Sequence, residues 1–150
     1  KVEVAKERLR IQSALYRGAD DKGRPFLLHA GSAVQKSSSE PVVHLDKLAA
    51  MAGLPDGPAT LPANPGRYNM SSEQVAVDGE IRLKAANGYD LTTSDATLDL
   101  KTRQLRSRGA VTGKVPQGRF SANSMNADLE RHIVRLDGNA RLRIVPRRTK

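Results

Sequence analysis

The chain has no cysteine and no tryptophan, and only Tyr16, Phe26, Tyr68, Tyr89 and Phe120 are aromatic among its 150 residues. The first absence excludes disulfides, thiolate metal sites and a thiol nucleophile. The scarcity of rings means that any core is built from Val, Leu, Ile, Met and Ala. It also makes a poor stacking platform for single-stranded nucleic acid, whose binders interleave basic residues with aromatics. Long apolar runs are missing as well. The strongest, LAAMAGL at 48–54, is far short of the roughly 20 residues of a membrane helix. No signal-peptide pattern opens the chain, and its start at Lys1 raises the expectation that an upstream segment has been removed.

Catalytic constellations are equally scarce. His29, His44 and His132 are isolated and read as surface or rim residues, without the paired spacing of a metal site. Asp95, Asp99, Asp128 and Glu130 fall on polar positions or in turns, which reads as a solvated face and not as an acid–base pair. The stretch GAVTGKVPQG at 109–118 lacks the Ser or Thr of a phosphate-cradling loop at Val115 and its first glycine at Arg108. Neither an enzyme nor a cofactor is expected.

What the sequence does have is positive charge. Twenty-five Lys and Arg against 16 Asp and Glu leave a net charge of +9, which favours an anionic partner such as nucleic acid, acidic lipid or a phosphorylated glycan.

It also has a repeat. VDGEIRL at 77–83 returns as LDGNARL at 136–142, and SRGAV at 107–111 is a third, looser copy. Ala33, Ala63, Thr93 and Ala122 each stand 16 positions before Ala49, Gly79, Gly109 and Gly138, and the sets advance by 30, 30 and 29 residues. A fixed period of this kind marks stacked or meandering structural units. Parity identifies the unit: Val134, Leu136, Gly138, Ala140, Leu142 and Ile144 alternate with polar residues, as do Val75 to Leu83 and Leu105 to Val115, each a half-buried strand. Shorter strands through Ala96, Leu98 and Leu100 and through Ala127 and Leu129 precede them, giving hairpins of about 30 residues. Gly79, Gly109 and Gly138 stay in phase with the inward face, so each is expected to bend its strand without reversing it. The helix formers near residues 3–15 compete with the alternation of Leu9, Ile11, Ser13 and Leu15, and a first strand is preferred. The segment 52–66, with its four prolines, reads as a loop crossing between edges. At this length one domain is expected, since compact domains cluster near roughly 100–150 residues.

The expected fold is thus all-β, a twisted antiparallel sandwich or open roll. Its inward stripe comprises Val77, Ile81, Leu98, Leu100, Leu105, Val111, Phe120, Leu129, Leu136, Leu142 and Ile144. Periodicity leaves two readings of that stripe open. It either fills a core, or lines an apolar trough that holds an acyl chain.

Three segments carry a family likeness: GADDKGRPFLLHAGSA at 18–33, ANGYDLTTSDATLDL at 86–100, and GAVTGKVPQGRFSANSMNADLERHIVRLDGNARLRIVP at 109–146. They resemble the LptC family of periplasmic lipopolysaccharide-export proteins, with the related bridge protein LptA sharing the repeat. The likeness is strongest from Asn87 onward and slight over 36–62.

The resemblance implies a twisted, V-shaped β-jellyroll whose interior carries lipid acyl chains, here along the stripe just named. It implies periplasmic localisation, and tethering to the inner membrane by a helix that would precede Lys1. It further implies strand pairing at two edges. The N-terminal edge, Leu9 to Tyr16 with Leu9, Ile11 and Leu15, would meet the inner-membrane export permease. The C-terminal edge, Ala140 to Val145 with Ala140, Leu142 and Ile144, would meet LptA. Homodimer pairing through such edges stays open. Lipopolysaccharide bears phosphates and acidic sugars, so Arg82, Lys84, Arg106, Arg108, Arg119, Arg141 and Arg143 are candidates to attract its headgroup, against the simpler reading of a solvated polar face. The alternative functions are an interaction domain with a filled core and, less favoured, a basic nucleic-acid-binding sandwich.

Overall fold

A computed structural model describes residues 9–19, 22–54, 57–85, 88–131 and 133–144. Its strands are β1 (Leu9–Ala19), β2 (Pro25–Gln35), β3 (Val42–Leu54), β4 (Gly57–Asn69), β5 (Gln74–Ala85), β6 (Asp90–Asp99), β7 (Gln104–Ser107), β8 (Val111–Val115), β9 (Gly118–Ala122), β10 (Ser124–Asp128), β11 (Ile133–Asp137) and β12 (Arg141–Ile144). All pair antiparallel in one open sheet, each long strand beside the next in chain order. The last six are three long strands broken once each: β7 and β8 pair with successive halves of β6, and β10 and β9 carry them on to β11 and β12. The fold is all-β, as the alternation led one to expect, and of the β-jellyroll type that the resemblance implied. The first strand begins at Leu9, so the part of its expected range at residues 3–8 lies outside the described residues.

The 30-residue period is one up-and-down pair of strands, and it recurs in the turns. The side-chain oxygen of Asn69 accepts the backbone N–H groups of Ser71 and Ser72 at 2.9 and 3.0 Å. Asp99 does the same for Lys101 and Thr102 at 2.8 and 3.1 Å, and Asp128 for Glu130 and Arg131 at 3.0 Å each. These side chains satisfy turn donors that no strand can reach, which is why Asn or Asp stands there. After the first two, Glu73 and Arg103 take positive φ angles of 56° and 61° to re-enter a strand.

A second recurrence is a crease halfway along the strands. Val77 pairs with Ala96 but Glu80 pairs with Ser94, so Asp78 and Gly79 together oppose Asp95. This is a one-residue bulge, and Gly79 supplies its left-handed backbone at φ 82°. The same step separates β7 from β8 around Gly109 and β11 from β12 around Gly138. The strands bend without reversing, but the glycines do not face inward. Gly79 and Gly138 are exposed and Gly109 is half-buried. Numerical phase survives the bend because a bulge adds a residue to one strand, whereas the partner strand shifts phase, burying Ala96 and then Thr93. At Gly109 the constraint is steric: a Cβ there would overlap the Ser94 hydroxyl.

The spacing of 16 residues is the cross-strand neighbour relation at this crease. Asn64 Nδ2 donates to the Glu80 carbonyl at 2.7 Å, Gly79 N–H to Asp95 Oδ1 at 3.0 Å, and Thr93 Oγ1 to the Gly109 carbonyl at 3.3 Å. Each bond satisfies a backbone group that the bulge has removed from the ladder.

The proline-rich segment 52–66 is the one element read wrongly. It is not a crossing loop: residues 52–54 end β3, residues 57–66 form most of β4, and Leu54 pairs with Gly57. Proline cannot donate a ladder hydrogen bond and is normally confined to edges or bulges. Here β4 lies between β3 and β5, yet its pairing with β5 lapses between Thr60 and Gly66, and its pairing with β3 slips near Leu48. Pro62 and Pro65 occupy that gap.

The core is in two parts. Leu48, Leu61, Val75, Val77, Ile81, Ala96, Leu98 and Leu100 form the larger, with Leu105 and Leu129 packed against it. Val111, Ala122 and Met125 form the smaller, covered by Leu91, Leu105, Phe120 and Leu136. Leu105 touches both and joins them.

Candidate functional site

Two apolar clefts open on opposite sides of the crease. The first, of about 290 Å³, is lined by Ile11, Leu15, Leu28, Leu45, Tyr68, Met70 and neighbouring aliphatic residues. The second, of about 390 Å³, is lined by Ala59, Leu83, Tyr89, Leu91, Phe120, Val134 and Leu136 among others. β4 runs from one to the other, with Ala59 at its start in the second cleft and Tyr68 near its end in the first. Nine residues of strand span roughly 30 Å. Both volumes fall near the low end of ordinary ligand pockets.

Between the clefts lies the larger core cluster. Leu48, Val75 and Leu100 belong to it and also line the first cleft, while Leu83 packs against it and lines the second. An aliphatic path thus connects the two openings. Among the described residues the buried polar side chains are Thr93 and Ser107, both hydrogen-bonded at the crease, Ser107 Oγ accepting the Met125 N–H at 3.1 Å. The path carries no buried charge to repel hydrocarbon.

Of the stripe residues, Val77, Ile81, Leu98, Leu100 and Val111 are buried, and Leu105, Phe120, Leu129 and Leu136 half-buried. Leu142 and Ile144 differ. They are 63% and 64% exposed, and among the described residues β12 pairs with β9 alone. As interior lining they are corrected; as edge residues they stand where the edge is.

Arg103 fastens the first cleft's rim. Its guanidinium lies 4.8 Å from the Phe26 ring centre and 5.9 Å from that of Tyr16, and Nη1 donates to the Ala19 carbonyl at 3.1 Å. The end of β1 is thereby tied to the turn between β6 and β7.

The free edges carry most of the exposed large apolar side chains. Ile11 and Leu15 on β1 are 39% and 51% exposed, and Ile133 and Val134 on β11 are 57% and 53% exposed. Elsewhere among the described residues only Met51, Met70 and Tyr89 join them. The side chain of Leu9, and Val145 altogether, lie outside the described residues, and Ala140 sits in the bend before β12. Sequence reasoning placed the second edge at 140–145 and missed Ile133 and Val134, because a strand that alternates reads as half-buried whether or not a neighbour lies beside it.

Three aspartates, Asp78, Asp99 and Asp128, serve structure. Asp78 is held below the usual carboxylate range by the Arg67 side chain, which donates to it twice, Nε at 3.0 Å and Nη2 at 2.7 Å. Asp99 and Asp128 are lowered chiefly by the turn N–H groups of Thr102 and Arg131. His29 is exposed and hydrogen-bonded to Ser13, His44 is half-buried, and His132 lies outside the described residues. Among the described residues no group of His, Asp or Glu is placed to hold a metal ion, and no helix is long and apolar enough to cross a membrane.

Comparison with known proteins agrees with this geometry. The family model described as "Lipopolysaccharide-assembly, LptC-related" matches residues 9–145. No curated protein matches the chain.

Proposed function

Because the chain belongs to the LptC-related lipopolysaccharide-assembly family, with a role in lipopolysaccharide assembly and transport, we propose that it is a noncatalytic conduit. In this reading one periplasmic jellyroll takes lipopolysaccharide acyl chains at one apolar cleft and passes them across the crease to the other. The inner-membrane export permease adds to the β1 edge and supplies lipid. The bridge protein LptA adds to the β11–β12 edge and removes it. An N-terminal helix ahead of Lys1 would hold the protein at the inner membrane.

The carrying observation is the pair of apolar clefts on either side of the crease, joined by side chains that belong to both cleft and core. Edge pairing is supported by the exposed Ile11, Leu15, Ile133, Val134, Leu142 and Ile144, which sit on strands that have one sheet neighbour among the described residues. A second reading, an interaction domain with a filled core, draws on the side chains that occupy the space between the clefts. Photo-crosslinking separates the two. Probes at Leu45 and Leu83, one per cleft, are expected to capture lipopolysaccharide, with a control at Asp99 silent. Adducts at Asp99 alone would sink the conduit.

A further inference from the structure

Outside the apolar path, a broad concavity lies on the sheet formed by β5, β6, β8, β9 and β12, with a volume of about 770 Å³. Two cross-strand rows build it. One runs Arg82, Thr92, Thr112, Ser121, Arg141. The other runs Lys84, Asp90, Lys114, Arg119, Arg143, two residues further along each strand and so on the same face. The first row has hydroxyls at its centre and arginines at both ends, which makes a trough with a polar floor and cationic walls. It spans five strands, or roughly 19 Å at about 4.8 Å per step.

Six cations face one carboxylate in this trough. Lys114, Arg119 and Arg143 stand directly opposite one another on three adjacent strands, an arrangement that destabilises a sheet unless an anion lies among them. Arg82 is paired with Glu80 at 3.3 Å. Among the described residues, Lys84, Lys114, Arg119, Arg141 and Arg143 make no ion pair, and the hydroxyls of Thr92, Thr112 and Ser121 make no side-chain hydrogen bond. Long cations for phosphate and hydroxyls for sugar are the donor set of a phosphorylated-saccharide site. The trough also shares Leu83, Asp90, Leu91, Lys114 and Phe120 with the second apolar cleft, so a ligand with a charged head and apolar tails can engage both at once.

We propose that this trough is a binding site for the phosphate-bearing saccharide of the lipid, centred on Lys114, Arg119 and Arg143; the assignment rests on the conduit reading. The arrangement places charge recognition at the cleft nearer the C-terminal edge, where lipid leaves the molecule.

The test uses the 150-residue chain and deacylated, phosphorylated lipopolysaccharide oligosaccharide, a probe with no tails. Amide shifts in its NMR titration are expected to concentrate at residues 112–121 and 141–143, and the dephosphorylated oligosaccharide is expected to leave them unmoved. The triple variant Lys114→Gln, Arg119→Gln, Arg143→Gln is expected to weaken binding roughly tenfold or more. Lys36→Gln, Lys47→Gln, Arg131→Gln, with the same change in charge on exposed positions, is expected to bind as the parent does. Equal loss in both variants, or shifts scattered over all basic residues, would overturn the site as mere net charge. Inorganic phosphate binding as tightly as the glycan would overturn the saccharide part. Tighter binding to phosphatidylglycerol vesicles than to the glycan, lost in the first variant, would reassign the face to a membrane surface. Fatty-acid crosslinking at Leu45 and Leu83, run in parallel, keeps the two ideas apart: its persistence without glycan binding fails the trough alone, and its absence fails the conduit.

Discussion

At the scale of single residues, the chain spends its few special side chains on turns and on the crease. Asn69, Asp99 and Asp128 fill the same place in successive repeats, each accepting two backbone N–H groups. Two of the three are ionised, and their lowered pKa values carry a sign. The stabilisation is fully present above the ordinary aspartate pKa of about 3.9 and is lost as pH falls through the lower folded value. Asn69 shows that an amide oxygen can do the same work without a charge. Asp99→Asn with Asp128→Asn is therefore expected to keep the neutral-pH unfolding midpoint close to that of the parent while flattening its fall below about pH 4. Asp99→Ala, which removes the acceptor, lowers the midpoint at every pH. Thermal unfolding followed by circular dichroism across that range checks both. The repeat made the glycines legible in the sequence, and their bends with them. Their exposure was not legible, because alternation reports numerical phase and a bulge with positive φ breaks the link between phase and facing.

At the scale of elements, the strands were readable wherever alternation and turn chemistry agreed, as at 75–83 and 96–99. They were unreadable at 57–69, where proline content argued for a loop. β4 survives its prolines because β5 withdraws from pairing over the same stretch, a property of two strands together that neither sequence displays alone. The edges were half legible. Leu142 and Ile144 were placed on an edge, while Ile133 and Val134 entered only with the observation that β11 has a single neighbour. Because Leu142 and Ile144 are mostly exposed, Leu142→Lys with Ile144→Lys is expected to shift stability by no more than about 0.5 kcal/mol. The same pair is expected to abolish strand addition by a jellyroll partner, or by a second copy of this chain, since charged side chains on an edge oppose pairing. Size-exclusion chromatography with LptA, alongside thermal unfolding, checks this. Undiminished complex formation would move the partner edge to β1 or elsewhere.

At the scale of the whole molecule, the absences noted first set the character of the fold. With no tryptophan and few rings, the interior is mainly aliphatic, with Phe26 and Phe120 among the exceptions, and split in two at the crease, with an opening on each side. The all-β class and the family were legible from repeat, parity and resemblance. The two openings, the Arg103 fastening at the first rim and the basic trough beside the second were not, since each arises from residues far apart in the chain. The missing cysteines make the decisive measurement simple, because any cysteine introduced is the only one. Nitroxide labels at Leu28 in the first cleft and Leu136 in the second, with outward controls at Lys36 and Arg131, report side-chain mobility by electron paramagnetic resonance as lipopolysaccharide is added. The conduit predicts that both cleft labels become immobilised while the controls keep their spectra. Immobilisation of the controls with the cleft labels unchanged would contradict it.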